Sequence, residues 1–153
     1  MSISFGFDQL VTLVGIVIGI ITFVWGVTSY QNQMNAQLFL EFTRRFEEVM
    51  QSFPKNAWAA RVNSEESLPE ESEELSLSVL RYLNLCGEEY YLYRKGWLDR
   101  RMWALWKDEL NRTMRTPLFV REWKKLSKEF DTHPEFKKYV ESAQASSDGQ
   151  KAR

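Results

Sequence analysis

The fold class the sequence predicts is all-α, with an N-terminal transmembrane helix continuing into a small cytoplasmic helical bundle. Three observations carry the helical part of that reading. The 32 residues between Asp8 and Glu41 bear no formal charge, and residues 10–28 (LVTLVGIVIGIITFVWGVT) are almost wholly apolar. A hydrocarbon core of about 30 Å needs roughly 20 such residues as a helix. Beyond that run the apolar residues recur at helical spacing, no segment alternates with a period of two, and no Asn-Gly or Asp-Gly turn joins β-rich stretches.

Residues 1–30 are read as the membrane anchor, with the span at about 10–28. Residues 1–7 lack the Lys or Arg of a signal-peptide n-region, and residues 25–30 (WGVTSY) make a poor cleavage site, so the anchor is expected to stay uncleaved. Every Lys and Arg lies beyond residue 40, and only Arg44 and Arg45 fall within reach of the span. By the positive-inside rule this places the N-terminus outside and the body in the cytoplasm, with the membrane crossed once. Gly15, Gly19, Thr22 and Gly26 recur at i, i+4, i+7 and i+11, which lines small side chains along one helix face. Helices in lipid associate through such close-packing faces, so a homo-oligomer is expected. Trp25 and Tyr30 fit the aromatic belt at the interface.

No Pro or Gly interrupts residues 29–37, and an amphipathic pattern resumes with Met34, Leu38, Phe42, Phe46, Val49, Met50 and Phe53. Residues 31–53 are therefore expected to extend the same helix; from residue 9 to 53 it would measure about 65–70 Å. Pro54 is the natural terminator. Residues 54–74 (PKNAWAARVNSEESLPEESEE), acidic and Ser-rich, read as a linker.

The helical domain is expected over residues 75–141. Its first helix starts at about residues 69–72 and runs to Lys95, with Leu75, Val79, Leu83, Cys86, Tyr90 and Tyr93 facing inward, glutamates in its first turn and Gly96 as its stop. Asp99 caps the next helix, to about Arg115, with Leu98 and Trp103 spaced as a hydrophobic staple. Thr116-Pro117 opens another, Pro being favoured at the first helical position. Thr132 and Glu135 have capping-box spacing and open a short last helix bearing Phe136, Tyr139 and Val140. Residues 142–153 have the composition of a disordered tail. Short connections argue for antiparallel neighbours in a bundle.

Charge is segregated along the chain. Lys and Arg against Asp and Glu number 4 to 9 over residues 41–74, 12 to 6 over 75–128, and 4 to 5 over 129–153. A basic middle behind an acidic entrance suggests an anionic partner, or self-association that pairs the two. Ordinary solvated helix faces would look the same.

The residues also limit the chemistry. One His and one Cys, far apart in sequence, give no metal site of the common kinds. His133 before Pro134 reads as a turn residue, and Cys86 as a small core residue outside the electropositive setting of a reactive thiol. No nucleophile has a base beside it in a recognisable motif, and no phosphate loop or dinucleotide fingerprint is present. No enzyme activity and no cofactor are expected. Nothing points to double-stranded nucleic acid.

The one segment of chemical character is residues 89–107 (EYYLYRKGWLDRRMWALWK). Arg94, Lys95, Arg100, Arg101 and Lys107 interleave with aromatic residues, of which Tyr91 and Trp97 are the candidates for a surface. Aromatic faces beside guanidinium groups suit unpaired bases and phosphates, so an anionic nucleotide is one candidate ligand and a protein partner another. Tyr90, Tyr93, Trp103, Trp106 and Leu110, at helical spacing, fit a core instead. Arg100 and Arg101 could equally neutralise the acidic stretch 65–74 of the same or a neighbouring chain.

The pattern Arg81-Tyr-Leu, then EEYYLY at residues 88–93, Gly96-Trp-Leu-Asp99, Trp103-x-x-Trp106 and PEFKKY at residues 134–139 resembles a broad, functionally uncharacterised group of bacterial proteins. These pair one N-terminal span with a small helical domain; the resemblance covers roughly residues 10–140 and implies a fold, with no catalytic residues to carry over. A more distant likeness, in architecture and aromatic-basic composition alone, is to the membrane effectors of type III CRISPR defence, whose cytoplasmic domain binds cyclic oligoadenylate. The function expected is therefore non-enzymatic: a membrane-anchored helical protein acting through self-association and partner binding on the cytoplasmic side. The alternative is a nucleotide-gated membrane effector of the antiphage-defence type that uses residues 90–107.

Overall fold

The computed structural model describes residues 6–61, 63 and 65–148. Among them every regular element is a helix: α1 (Phe7–Gln51), α2 (Lys55–Trp58), α3 (Glu73–Arg94), α4 (Arg100–Met114), α5 (Pro117–Leu126), a 3₁₀ turn (Ser127–Phe130) and α6 (Pro134–Asp148). The chain divides into two compact units, Met1–Leu40 and Glu41–Arg153.

In the first unit α1 carries one stretch long and apolar enough to cross a membrane, and none of that stretch is buried within the protein. Its hydroxyls are satisfied internally: Thr12, Thr22 and Thr28 donate to the carbonyls of Asp8, Ile18 and Val24 at 2.8, 2.9 and 2.8 Å. An apolar span needs such back-bonding, since lipid offers no partner to a hydroxyl or a peptide group.

In the second unit α3 is the element against which α4, α5 and α6 all pack. Its start is set by Ser72, whose Oγ accepts from the Leu75 N–H at 3.1 Å, with Glu73 and Glu74 in the first turn facing the positive end of the helix dipole. Its inward stripe buries Leu75, Val79, Tyr82, Leu83 and Cys86. Burial, foremost, pushes the Cys86 thiol well above its ordinary range, which suits a core residue. The last helical turns of α1 dock here through Phe42, whose ring centroid is 5.3 Å from that of Trp106, and Phe46, 6.3 Å from Tyr82. Asp99 Oδ1 accepts from the Arg101 N–H at 2.8 Å to cap α4, and Leu98 and Trp103 beside it are both in the core. Pro117 opens α5.

Three expectations are revised. Residues 54–74 are not linker throughout: α1 ends at Gln51, Pro54 leads directly into α2, and Phe53, Ala57 and Ala60 are core residues. Residues 142–148 are helical, because α6 continues to Asp148 with Ala143 buried and its carbonyl accepting from Arg115 Nε at 3.1 Å; residues 149–153 of the expected tail lie outside the described residues. The capping box before α6 is replaced by another arrangement. The His133 carbonyl accepts from the Lys137 N–H at 3.0 Å, the Thr132 hydroxyl lies 3.0 Å from His133 Nδ1, and Glu135 is drawn to Arg94 at 3.1 Å.

Candidate functional site

The end of α3 shapes the aromatic-basic segment of residues 89–107. Gly96 adopts φ +73°, a left-handed conformation open to glycine at no steric cost. The Gly96 N–H donates to the Tyr93 carbonyl at 2.9 Å and the Trp97 N–H to the Leu92 carbonyl at 3.0 Å, the two bonds of a Schellman cap. This reversal brings Trp97 edge-on to Tyr91, with centroids 6.5 Å apart and planes at 89°, and Lys95 Nζ stands 5.5 Å from the Tyr91 ring.

The segment thereby splits. Trp103 and Leu110 are buried, and Tyr90, Tyr93 and Trp106 are half-buried against the same core, Tyr93 stacking on Trp103 at 4.8 Å. Tyr91 and Trp97 remain exposed. Of the cations, Arg94 pairs with Glu135, while Arg100, Arg101 and Lys107 are exposed on α4 and form no ion pair among the described residues. The acidic stretch is met elsewhere in its own chain: Glu71 lies 2.9 Å from Lys125 Nζ and 3.8 Å from Arg121 Nε, both on α5.

Two adjoining clefts, of about 380 and 740 Å³, run between α3 and the turn into α6 and share Gly87, Tyr91, Thr132, His133 and Phe136. The smaller is edged by Arg94 and Lys95. Its size falls within the range of small-molecule sites, at their lower end. Arg100, Arg101 and Lys107 do not line it, so the structure divides the predicted ligand surface into a cleft and a separate face of α4.

The membrane candidates are all in α1. A Cβ added at Gly15, Gly19 or Gly26 would meet nothing within 4 Å, and Trp25 and Tyr30 are exposed.

A buried polar cluster escaped the sequence reading. Arg61, 9% exposed at its side chain, lies 3.0 Å from Glu109 on α4. Glu89 on α3 is buried beside them, and desolvation first, then the charge of Glu109, pushes its carboxyl up to about 8, against a smaller opposing pull from Arg45. The readable signal was position: Glu89 continues the stripe of Tyr82, Cys86 and Tyr93. A second buried carboxylate, Glu122, accepts from Ser76 Oγ at 2.8 Å and Arg121 Nε at 2.9 Å, with Lys125 Nζ at 3.3 Å. Among the described residues no three His, Cys, Asp or Glu side chains gather as a metal ion would need.

Compared with protein-family models, curated proteins and solved structures, the chain matches none. The functional reading therefore rests on these residues.

Proposed function

We propose that this is a non-enzymatic, single-span protein of the bacterial inner membrane whose cytoplasmic helical unit binds a protein partner or a second copy of itself. The observation that carries the reading is the exposed side of α4, where Leu105 is exposed and Arg100, Arg101 and Lys107 form no ion pair among the described residues, while Trp103 and Trp106 pack on the core. Exposed arginines without an intramolecular partner are among the residues enriched at protein interfaces. The apolar part of α1 supports the anchor, its Gly15, Gly19, Thr22 and Gly26 face supports self-association, and Arg44 and Arg45 support the cytoplasmic side. The test is the mass of the full chain in mild detergent, by light scattering, beside a chain truncated to start near Ala36. A defined oligomer that the truncation reduces supports assembly through the span. A monomer with no co-purifying protein sinks the reading.

The cleft edged by Arg94 and Lys95 supports a second reading, a membrane effector gated by an anionic nucleotide, because Tyr91 offers a stacking face and Lys95 a phosphate contact. Calorimetric titration with mono- and oligonucleotides checks it. Binding lost in Arg94→Ala or Lys95→Ala at unchanged helicity favours it, and no heat with any of them removes it.

A further inference from the structure

Around Glu89 three carboxyl groups meet two cations. Glu89 is 7% exposed, and its side chain makes no hydrogen bond and no ion pair among the described residues. The charged groups that face it are Arg45 on α1, Glu88 on α3 and Glu109 on α4, with Arg61 paired to Glu109. Both cations are committed elsewhere, since Arg45 Nη2 donates to Glu88 at 2.9 Å and Arg61 Nη1 to Glu109 at 3.0 Å. The neighbouring Cys86 thiol and Tyr82 hydroxyl stay neutral, both pushed well up by burial. An ionised Glu89 is therefore a surplus charge in a buried place, and the cluster balances only when this carboxyl keeps its proton. The last turns of α1 cover that place. They run antiparallel to α3, with the Ser78 hydroxyl donating to the Ser52 carbonyl at 2.7 Å, Phe46 against Tyr82 and Arg45 on Glu88, while Phe42, itself buried, meets Trp106 of α4. The helices α3, α4, α5 and α6 pack on one another, whereas α1 is joined to them less extensively.

We propose that the docking of residues 42–51 is a proton-controlled latch: protonated Glu89 lets these turns of α1 lie on α3 and α4, and its ionisation lifts them off. The charge gains hydration by opening, and the least extensively packed cover is the element that yields it. The carboxyl titrates at about 8 when covered, raised first by burial and then by Glu109, against an ordinary 4.5 when hydrated. Below 4.5 both forms hold the proton, and pH does not bear on the latch. Between about 4.5 and 8 the open form alone releases it, so opening grows with pH, and above 8 the growth stops. The latch acts on the helix that carries the apolar stretch, whichever partner the unit binds.

The test is hydrogen–deuterium exchange of the full chain in detergent at pH 5, 7 and 9, each amide rate divided by its unstructured rate at that pH. Freed from packing, so short a helical segment frays, which makes opening visible as exchange. Protection over residues 42–51 is expected to lie about tenfold or more below that of α5 and α6, and to fall by about tenfold or more from pH 5 to 9. Glu89→Gln, which cannot ionise, is expected to abolish that fall and to leave the protection at pH 5 in place. Protection over residues 42–51 as high as in α5 and α6 would mean that these turns leave only when the whole unit unfolds, and overturns the latch. No fall with pH, or a fall that Glu89→Gln retains, overturns it as well. The wild-type chain gives a second measure that needs no variant to fold: the infrared band of a buried protonated carboxyl is expected at pH 7 and disappears as protection falls, and its absence at pH 7 overturns the latch.

Discussion

Arg61 and Glu109 are 48 positions apart in sequence and form an ion pair at 3.0 Å in which the cation is almost wholly removed from solvent. The Arg61 guanidinium also lies 5.8 Å from the Phe46 ring, while its Nε has no partner. The pair thus ties the segment after α2 to α4, over the docked end of α1. Removing one member of a buried pair costs more than the pair contributes, because the survivor stays desolvated. Glu109 is about one-third exposed, which softens that cost. Arg61→Met is expected to destabilise the second unit by about 2–3 kcal/mol, and R61M/E109L to regain most of it. Denaturant unfolding of the full chain in detergent, followed by tryptophan fluorescence, measures both. A single-variant change below about 0.5 kcal/mol would mean that the pair is solvated after all.

Glu89 makes stability depend on pH. Its carboxyl titrates at about 8 in the fold, raised by burial and then by Glu109, against an ordinary value of 4.5. Below 4.5 the group is protonated whether the chain is folded or not, so its burial then carries no charge penalty. Between about 4.5 and 8 the unfolded chain releases the proton and the folded one keeps it, so stability falls as pH rises; above 8 the fall levels off. Glu89→Gln keeps the shape and removes the proton, and is expected to flatten this slope. Unfolding midpoints for both chains from pH 5 to 9 show it, and parallel curves would remove Glu89 as the source.

Glu122 is fully buried and met by Ser76, Arg121 and Lys125. Through Arg121, which also holds the Pro69 carbonyl, it anchors the segment entering α3 on α5. Glu122→Ala is expected to cost about 3–5 kcal/mol, because it leaves a cavity and takes from the largely buried Arg121 guanidinium its nearest carboxylate, Glu71 remaining at 3.8 Å. Ser76→Ala, which removes one hydrogen bond to a charged group, is expected to cost about 1.5–3 kcal/mol. The same unfolding experiment ranks them, and a Ser76→Ala effect as large as that of Glu122→Ala would contradict the assignment.

Some helix ends were legible because their signals are local, though the capping box before α6 and the end of α6 were not among them. Asp99, Pro117 and the Gly96 stop each act within a few residues of themselves, and the structure places them as their chemistry requires. Two kinds of feature were not legible. Residues 54–61 look like a connection by composition, yet Ala57 and Ala60 are core, because a short helix is recruited by tertiary burial that its own sequence barely encodes. Arg61, Glu89 and Glu122 were not singled out as buried charges, since apart from the stripe position of Glu89 single residues carry no sign of a partner tens of positions away. The candidate site was half legible. Helical spacing already set the exposed Tyr91 and Trp97 apart from Tyr90, Tyr93, Trp103 and Trp106 on the core, whereas the cleft depended on α6 packing across α3 and was not readable.

Gly87 sits in the interior of α3, where a residue without a side chain costs roughly 0.5–1 kcal/mol relative to Ala. It has no positive φ to require it, since Gly96 alone among the described residues has one. A Cβ at Gly87 would meet the Phe136 ring at 3.5 Å, an ordinary contact with no overlap. The absence of a side chain matters outward instead, at the shared wall of the two clefts. Gly87→Ala is therefore expected to raise stability by about 0.5–1 kcal/mol, and Gly87→Leu to fill the cleft. Thermal unfolding decides the first: a lower midpoint would show that Phe136 has no room for the methyl group. For the second, a Leu variant that self-associates like wild type but takes up no nucleotide would assign the cleft to a ligand, and the α4 face to assembly.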